Sequence, residues 1–389
     1  MIPGDLAQAP WLQQAETQAI FAALDGARGR TRAVGGVVRD TLLGLPRKTP
    51  DIDLATELVP DEVIARAQAA GIAWYPTGID HGTVTLRLGD VLAEVTTLRQ
   101  DTETDGRHAK VVLGTDWLDD AQRRDFTLNA LYCAADGTLF DPLDGLEDAL
   151  AHRIRFIGDA DQRIREDGLR VYRFFRFSAS HGQQVLDGQG LAACERAVGA
   201  LDHLSAERIG AEILRMLALP KVAKTLGAMA AINLLPFEQG ALDWLQAYED
   251  FGGQSAVARL ALVGDTEAAR MRWHLSNDLV AAVRKVQLAS ELVRNGAIGE
   301  AAYRHGELAV EGLAVAAAQE NWNRERLAET ARELGRVQLV PFPISGHDLA
   351  GLGMAPGPAL GAELRRLERL WIESGFSLDK AELIALARP

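Results

Sequence analysis

Asp51 and Asp53, one residue apart in DIDLAT, are spaced so that two carboxylates can act together. In an extended strand alternate side chains share a face, so both project from one side while Ile52 and Leu54 turn to the core. Like charges held this close repel unless cations lie between them. A pair of divalent ions about 4 Å apart, between carboxylates and substrate phosphates, is the arrangement used by in-line phosphoryl and nucleotidyl transfer. A solvated strand face also accommodates such a pair. Glu94, in VLAEVTTLR, adds a third carboxylate between Ala93 and Val95. It reads as a metal ligand, as a base for an attacking hydroxyl, or as a solvent-facing strand residue.

Gly35 and Gly36 end a predicted strand, TRAVGG, and open a predicted helix, where bare backbone N–H groups can hold a phosphate. Arg39, one helical turn on, can reach the same anion, although a Gly-Gly pair also serves as a plain turn. In DAQRRDFTLNALY, the residues Arg123, Arg124, Asp125 and Asn129 punctuate a predicted helical stretch with Phe126, Leu128 and Leu131 as its apolar positions. A further helix is predicted over REDGLRVYRFFRF. At about 100° per residue, Glu166, Arg170 and Arg173 share one face with Asp167 at its margin, and Val171, Tyr172 and Phe175 fall opposite. Each of these helices also reads as an ordinary amphipathic helix with surface ion pairs.

The elements that must position these residues divide into a mixed head and a helical remainder. Up to about Asp141, short β-type runs alternate with helical stretches such as PDEVIARAQAAG, which predicts an α+β unit. Gly89-Asp90, between TVTLRL and VLAEVTT, predicts a hairpin. Beyond about Gly145 the β signal fades and helical spacing continues to the end, with turns near Leu234–Pro236, Gly252–Gly253 and Pro341–Gly346. The amphipathic LRRLERLWIESGF reads as a core-packing helix. His347-Asp348 has no second, spaced His/Asp cluster nearby, so a helix start after Gly346 is a simpler reading than a phosphohydrolase metal site.

The chain has 389 residues, 48% of them hydrophobic, enough for several packed domains, and no apolar run long enough to span a membrane. Its N-terminus lacks the pattern of a secretion signal, so a cytoplasmic protein is expected. Cys133 and Cys194 lie far apart without a CxxC, which points to small buried residues and away from a disulfide framework or zinc site. A net charge of −13 suits nucleic acid poorly. The segment with Arg153, Arg155, Arg163, Arg165, Arg170, Arg173 and Arg176 is the local exception, set against Asp159, Asp161, Glu166 and Asp167.

Together, GGVVRD, LLG, DIDLAT, EVTTLR, RRDFTLNALY, DPLDG and EDGLRVYRFFRF resemble, in order and spacing, the class II CCA-adding tRNA nucleotidyltransferase and bacterial poly(A) polymerase family. The match is close from Ala33 to Phe177. LSAERIGAEILRML and SGHDLAGLGMAPGPALGAELRRLERLW look like that family's neck-to-body and tail segments. The resemblance implies a polymerase-β-like head over residues 1–145, a neck with a nucleotide-selecting helix over 146–215, a helical body over 216–300 and a tail, a tRNA grip, over 301–389. It implies two Mg²⁺ ions on Asp51 and Asp53, with Glu94 as the third catalytic acid. Gly35, Gly36, Arg39 and Arg124 become nucleotide contacts, and Asp167, Arg170, Arg173 and Arg176 become selector positions. The implied substrates are tRNA, CTP and ATP, with no obligatory protein partner and no membrane.

The chemistry of Asp167 and Arg170 suits that role. Cytosine and adenine each present an amino donor beside a ring acceptor, which an ionised Asp and an Arg at helical spacing can read as a pair. Guanine and uracil present the reverse order, and each buried polar group left unpaired costs about 1–3 kcal/mol. Four relatives in chemistry remain open at this point: complete CCA addition, poly(A) synthesis, CC-only or A-only addition, and a silent RNA-binding protein. The acidic charge and the lack of a basic C-terminal extension after Pro389 favour a compact RNA over a long unstructured one. The segment from Glu94 to Asp125 is expected to be the flexible loop that complete addition needs. All the metal carboxylates are present, which weighs against a silent protein.

Overall fold

The computed structural model describes residues 5–46, 51–105, 108–114, 116–338 and 340–388. Its contacts group into two units, Met1–Met216 with Ala231–Leu235, and Leu217–Ala230 with Pro236–Pro389.

The first unit carries nine strands, β1 (Thr31–Val34), β2 (Ile52–Thr56), β3 (Ala73–Gly78), β4 (Thr83–Leu88), β5 (Val91–Thr97), β6 (Arg99–Asp105), β7 (His108–Leu113), β8 (Tyr132–Cys133) and β9 (Leu139–Phe140). Around them run α1 (Pro10–Gln13), α2 (Ala15–Ala23), α3 (Gly36–Leu42), α4 (Pro60–Ala69), α5 (Trp117–Gln122) and α6 (Gly145–Leu150). The helices α7 (Ala160–Glu166), α8 (Leu169–Ser180), α9 (Gly188–Ala197) and α10 (Ala206–Leu217) follow. Seven strands form one sheet in the order β3-β4-β5-β2-β1-β8-β9. Only β2 and β5 run parallel among its pairings, and they set Asp53 opposite Glu94. The predicted hairpin is present: β4 and β5 pair antiparallel from Leu88↔Val91 outward, and Gly89 takes the positive φ of 56° that such a tight turn requires.

Two expectations change in this unit. The stretch RRDFTLNALY is no continuous helix: α5 ends at Gln122, a single 3₁₀ turn covers Thr127–Asn129, and β8 follows. Tertiary pairing overrides the helical pattern, because Thr127 N–H donates to the Arg155 carbonyl at 3.1 Å and Ile157 N–H to that of Asp125 at 3.1 Å. Phe126, Leu128 and Leu131 are all buried, so the segment has no solvent face of the kind an amphipathic helix needs. Nor is REDGLRVYRFFRF one helix. Asp167, at φ −149° and ψ 103°, is extended between α7 and α8. Among its described residues, the segment from Glu94 to Asp125 contains a two-stranded ribbon of β6 and β7 followed by α5.

An aromatic cluster ties these pieces together. The Phe126 ring lies 4.9 Å from that of Phe156 and 5.5 Å from that of Phe177, while Phe156 stacks on Phe174 at 5.5 Å. Phe174, Phe175 and Phe177 are buried with Val171 and Tyr172, so α8 is anchored by its apolar residues, and its arginines are only partly exposed. Both cysteines are buried and free, as expected.

The second unit contains only helices among its described residues: α11 (Ala223–Ala231), α12 (Gln239–Asp250), α13 (Ala256–Leu262), α14 (Thr266–Trp273), α15 (Asn277–Arg294), α16 (Ile298–His305), α17 (Leu308–Gln319), α18 (Arg324–Arg336), α19 (Gly346–Gly351), α20 (Pro358–Glu373) and α21 (Lys380–Ala385). The expected turns fall between them. LRRLERLWIESGF packs through Leu367 and Trp371 of α20, both buried with Ile344, Leu349 and Leu383. His347-Asp348 lies at the start of α19, where Ser345 and Asp348 form a capping box and Lys380 pairs with Asp348 at 2.6 Å. No described helix is long and apolar enough to cross a membrane.

Candidate active site

A cleft of about 460 Å³ opens in the first unit, lined by Gly35, Gly36, Arg39, Asp53, Arg123, Arg124, Asp125, Asn129, Asp167, Arg170, Arg173, Arg176 and Phe177. Nine of the eleven side chains and glycines expected at a site are among them. Asp51 and Glu94 are not. Asp51 is exposed just before β2, two residues from Asp53 on the same alternation, and Glu94 is exposed on β5 beside Asp53. Ile52, Leu54, Ala93 and Val95 are all buried, so these acids share the outward face of a sheet whose other face is core. Partial desolvation against the sheet and the neighbouring Asp53 charge raise the Glu94 carboxyl above its ordinary range, with Arg99 opposing. That repulsion marks a place where a cation is favoured.

Among the described residues no group of three or more His, Cys, Asp or Glu side chains is assembled as a closed metal cage. The donor set is instead an open one of hard carboxylate oxygens, which suits Mg²⁺-type ions that retain water and substrate-phosphate ligands.

Gly35 joins β1 to α3 at φ 72° and ψ −126°, a conformation open to glycine. Its N–H donates to the Leu131 carbonyl at 3.1 Å. With seven residues, α3 has little macrodipole, and the positive charge at this end of the cleft is that of Arg39 and Arg124. Arg39 is nearly buried. It donates to Asp40 through Nε at 2.8 Å and to Asn129 Oδ1 through Nη1 at 2.5 Å. Burial lowers its pKa, and Asp40 opposes that shift.

The remaining arginines are held in the same way. Asp120, fully buried, accepts from Arg123, from Arg124 at 3.1 Å and from the Tyr132 hydroxyl at 2.8 Å. Asp125 accepts Asn129 Nδ2 at 2.9 Å on one oxygen and Arg173 Nε at 2.7 Å on the other. Burial alone would raise the Asp125 carboxyl, but Arg173, Asn129 and the Phe126 N–H together hold it below the ordinary range. Arg170 bonds Glu166 at 2.7 Å, the Arg163 carbonyl at 2.8 Å and the Arg123 carbonyl at 3.0 Å. Buried Glu212 of α10 accepts from Arg176 and from Arg215. Asp167 accepts the Leu169 N–H on Oδ1 at 3.1 Å and Arg208 on Oδ2 at 3.0 Å.

The arginine-rich segment is therefore less basic in space than in sequence. Arg153 and Arg155 pair with Asp148, Arg173 with Asp125 and Arg176 with Glu212, acids that all lie outside the segment. Sequence reasoning passed over Asp120, Asp125, Asn129, Arg208 and Glu212 as site residues. The first three sit in a motif already quoted, whereas nothing local distinguishes Arg208 and Glu212 from surface charges of an amphipathic helix.

A cleft that joins the strand-borne carboxylate of Asp53, with Glu94 its neighbour in register, to clamped arginines and to Asp167 and Arg170 is equipped for nucleotidyl transfer. Residues 31–155 match the poly A polymerase head domain. The chain is 32% identical to the mitochondrial CCA tRNA nucleotidyltransferase 1 of Mus musculus, over 91% of this chain and 85% of that one. It is also 32% identical to the CCA-adding enzyme of Limosilactobacillus fermentum, over 91% of each. In fold it is similar to the Bacillus stearothermophilus CCA-adding enzyme crystallised with CTP, with a TM-score of 0.79, 28% identity and 97% of each chain covered. Nucleotidyltransferases of this kind generally work with divalent metal ions. With a head-domain match and relatives that run nearly its full length, the chain belongs to the CCA-adding tRNA nucleotidyltransferase family.

Proposed function

We propose that this protein completes the 3′ end of tRNA, adding C, C and A from CTP and ATP without a nucleic-acid template. The observation that carries this reading is the single cleft in which Gly35, Arg39 and Asp53 face the Asp167 and Arg170 pair. On this reading the phosphate-binding and base-reading groups line one cleft of about 460 Å³. The tRNA 3′-oxygen bonds to the α-phosphorus, the bond to the β-phosphate bridging oxygen breaks, and pyrophosphate leaves. Mg²⁺ held by Asp51 and Asp53 would supply charge neutralisation at the phosphates and ease loss of the hydroxyl proton.

Glu94 orients that hydroxyl from the adjacent strand. Gly35 and Gly36 let backbone approach the triphosphate, and Arg39 and Arg124 face its charge. Asp167 accepts from the amino group shared by cytosine and adenine, Arg170 donates to the adjacent ring nitrogen, and Arg173 and Arg176 extend this wall. We assign residues 1–145 as head, 146–215 as neck, 216–300 as body and 301–389 as a tRNA-gripping tail.

The test uses purified protein with Mg²⁺ and tRNA transcripts ending before CCA, after C and after CC, with CTP and ATP supplied singly and together. Addition of CCA followed by arrest is expected when both are present. Unlimited A addition, arrest at CC, action on the CC-ended transcript alone, or no addition would each overturn the reading.

A further inference from the structure

Asp167 belongs to neither α7 nor α8, so no helical rotamer restraint orients its carboxylate. Two donors hold it, one on each oxygen: the Leu169 N–H at 3.1 Å and Arg208 Nη2 at 3.0 Å. The first comes from the next turn of its own chain. Arg208 comes from α10, across the neck. The Arg208 and Asp167 side chains are 53% and 35% exposed, and ion pairs in that setting add little to stability. Its effect is therefore directional.

The same helix reaches the basic members of the wall. Glu212, one turn beyond Arg208 and so on the same face of α10, is buried and accepts from Arg176, with Arg173 at 4.0 Å. A single helical face thus presents a cation to the acid of the selector and an anion to its arginines.

We propose that Arg208 is a specificity-determining positioning residue, which fixes the carboxylate of Asp167 toward the exocyclic amino group of the incoming base. The assignment rests on the base-reading role of Asp167. Held at both oxygens, the carboxylate keeps a lone pair aimed at the base and meets the 4-carbonyl of uracil acceptor to acceptor. Released from Arg208, it turns aside, and uracil is no longer opposed.

The test is steady-state addition of the first nucleotide by the full-length chain to a tRNA transcript ending before CCA, with CTP and with UTP. For Arg208→Ala, KM for CTP should rise about tenfold with kcat within about threefold, and the preference for CTP over UTP should fall about tenfold, the loss of roughly one directed hydrogen bond. Arg208→Lys, which keeps the cation, should recover most of the preference. A residue acting through Asp167 adds nothing once Asp167 is gone, so Asp167→Ala and the double variant should lose the same preference.

Unchanged KM and preference in Arg208→Ala, while Asp167→Ala loses discrimination, would overturn this assignment and leave the base-reading role of Asp167 standing. Additive losses in the double variant, or an equal fall in kcat for both nucleotides, would also overturn it. Full discrimination in Asp167→Ala would remove the base-reading role, and the assignment with it.

Discussion

Asp53 and Glu94 are direct register partners on β2 and β5, the parallel pair at the centre of the seven-stranded sheet, although some forty residues of chain separate them. Both project from the outward face, and neither supports the core. Their replacement should therefore remove chemistry without removing the fold. For Asp53→Ala we expect kcat for CTP addition to drop about a thousandfold while the melting temperature stays within a few degrees. Turnover near the wild-type rate in a folded variant would exclude the two-metal assignment.

Asp125 makes the opposite case, since it is buried and shared between Asn129 and Arg173. Asp125→Asn leaves Arg173 with only the more distant Glu212, at 4.0 Å, and should destabilise the unit by about 3 kcal/mol in urea unfolding at neutral pH. The folded carboxyl lies below its unfolded value. Its contribution is therefore full above the ordinary aspartate range, about pH 4, and is lost as pH falls through the lower folded value. The stability gap between wild type and variant should accordingly close on the acid side. A gap that stayed constant down to acid unfolding would contradict the pairing.

Gly35 isolates a backbone effect. At φ 72° and ψ −126° an alanine is strained, yet the nearest atoms to an added methyl, on Arg124 and Asn129, lie 3.8 Å away in ordinary contact. Gly35→Ala should cost about 1–3 kcal/mol of stability through conformation alone and raise KM for nucleotide as the turn relaxes. Unaltered melting and KM would show that the turn tolerates a side chain.

The two thiols should be silent in the folded protein. Burial pushes Cys133 up to about 12 and raises Cys194 as well, and neither side chain reaches solvent. Maleimide or disulfide-exchange reagents at pH 8 should label neither until denaturant is added, at which point both react. Rapid labelling of the native chain would show that one of the two regions opens.

Local rules made much of the site legible. Period-two alternation placed Asp53 and Glu94 outward, and the Gly-Gly pair before a helical run located the cleft floor. What they missed is non-local. Nothing around Asp53 shows that β5, rather than β3 or β4, will be its neighbour. The helical spacing through Glu166, Arg170 and Arg173 hid the break at Asp167. The sign was Gly168, where a Cβ would lie 2.8 Å from Leu201 Cδ2. RRDFTLNALY carried helical spacing too, but its backbone is taken up by residues 155–157. The acids that balance the arginines are contributed by α5, the turn at Asp125, α6 and α10, so a running charge count overstated the basic character of the segment around α8.

That balance has a thermodynamic side. Each cleft arginine of α8 already has a carboxylate beside it, so their mutual repulsion is overcome when the chain folds, ahead of substrate arrival. An incoming base would then meet guanidinium groups whose orientations are set by fixed hydrogen bonds, so that little side-chain rearrangement would be needed to receive it. The wall behaves less as a reservoir of free positive charge than as an oriented solvent, with a polarity fixed in advance by the protein's own anions.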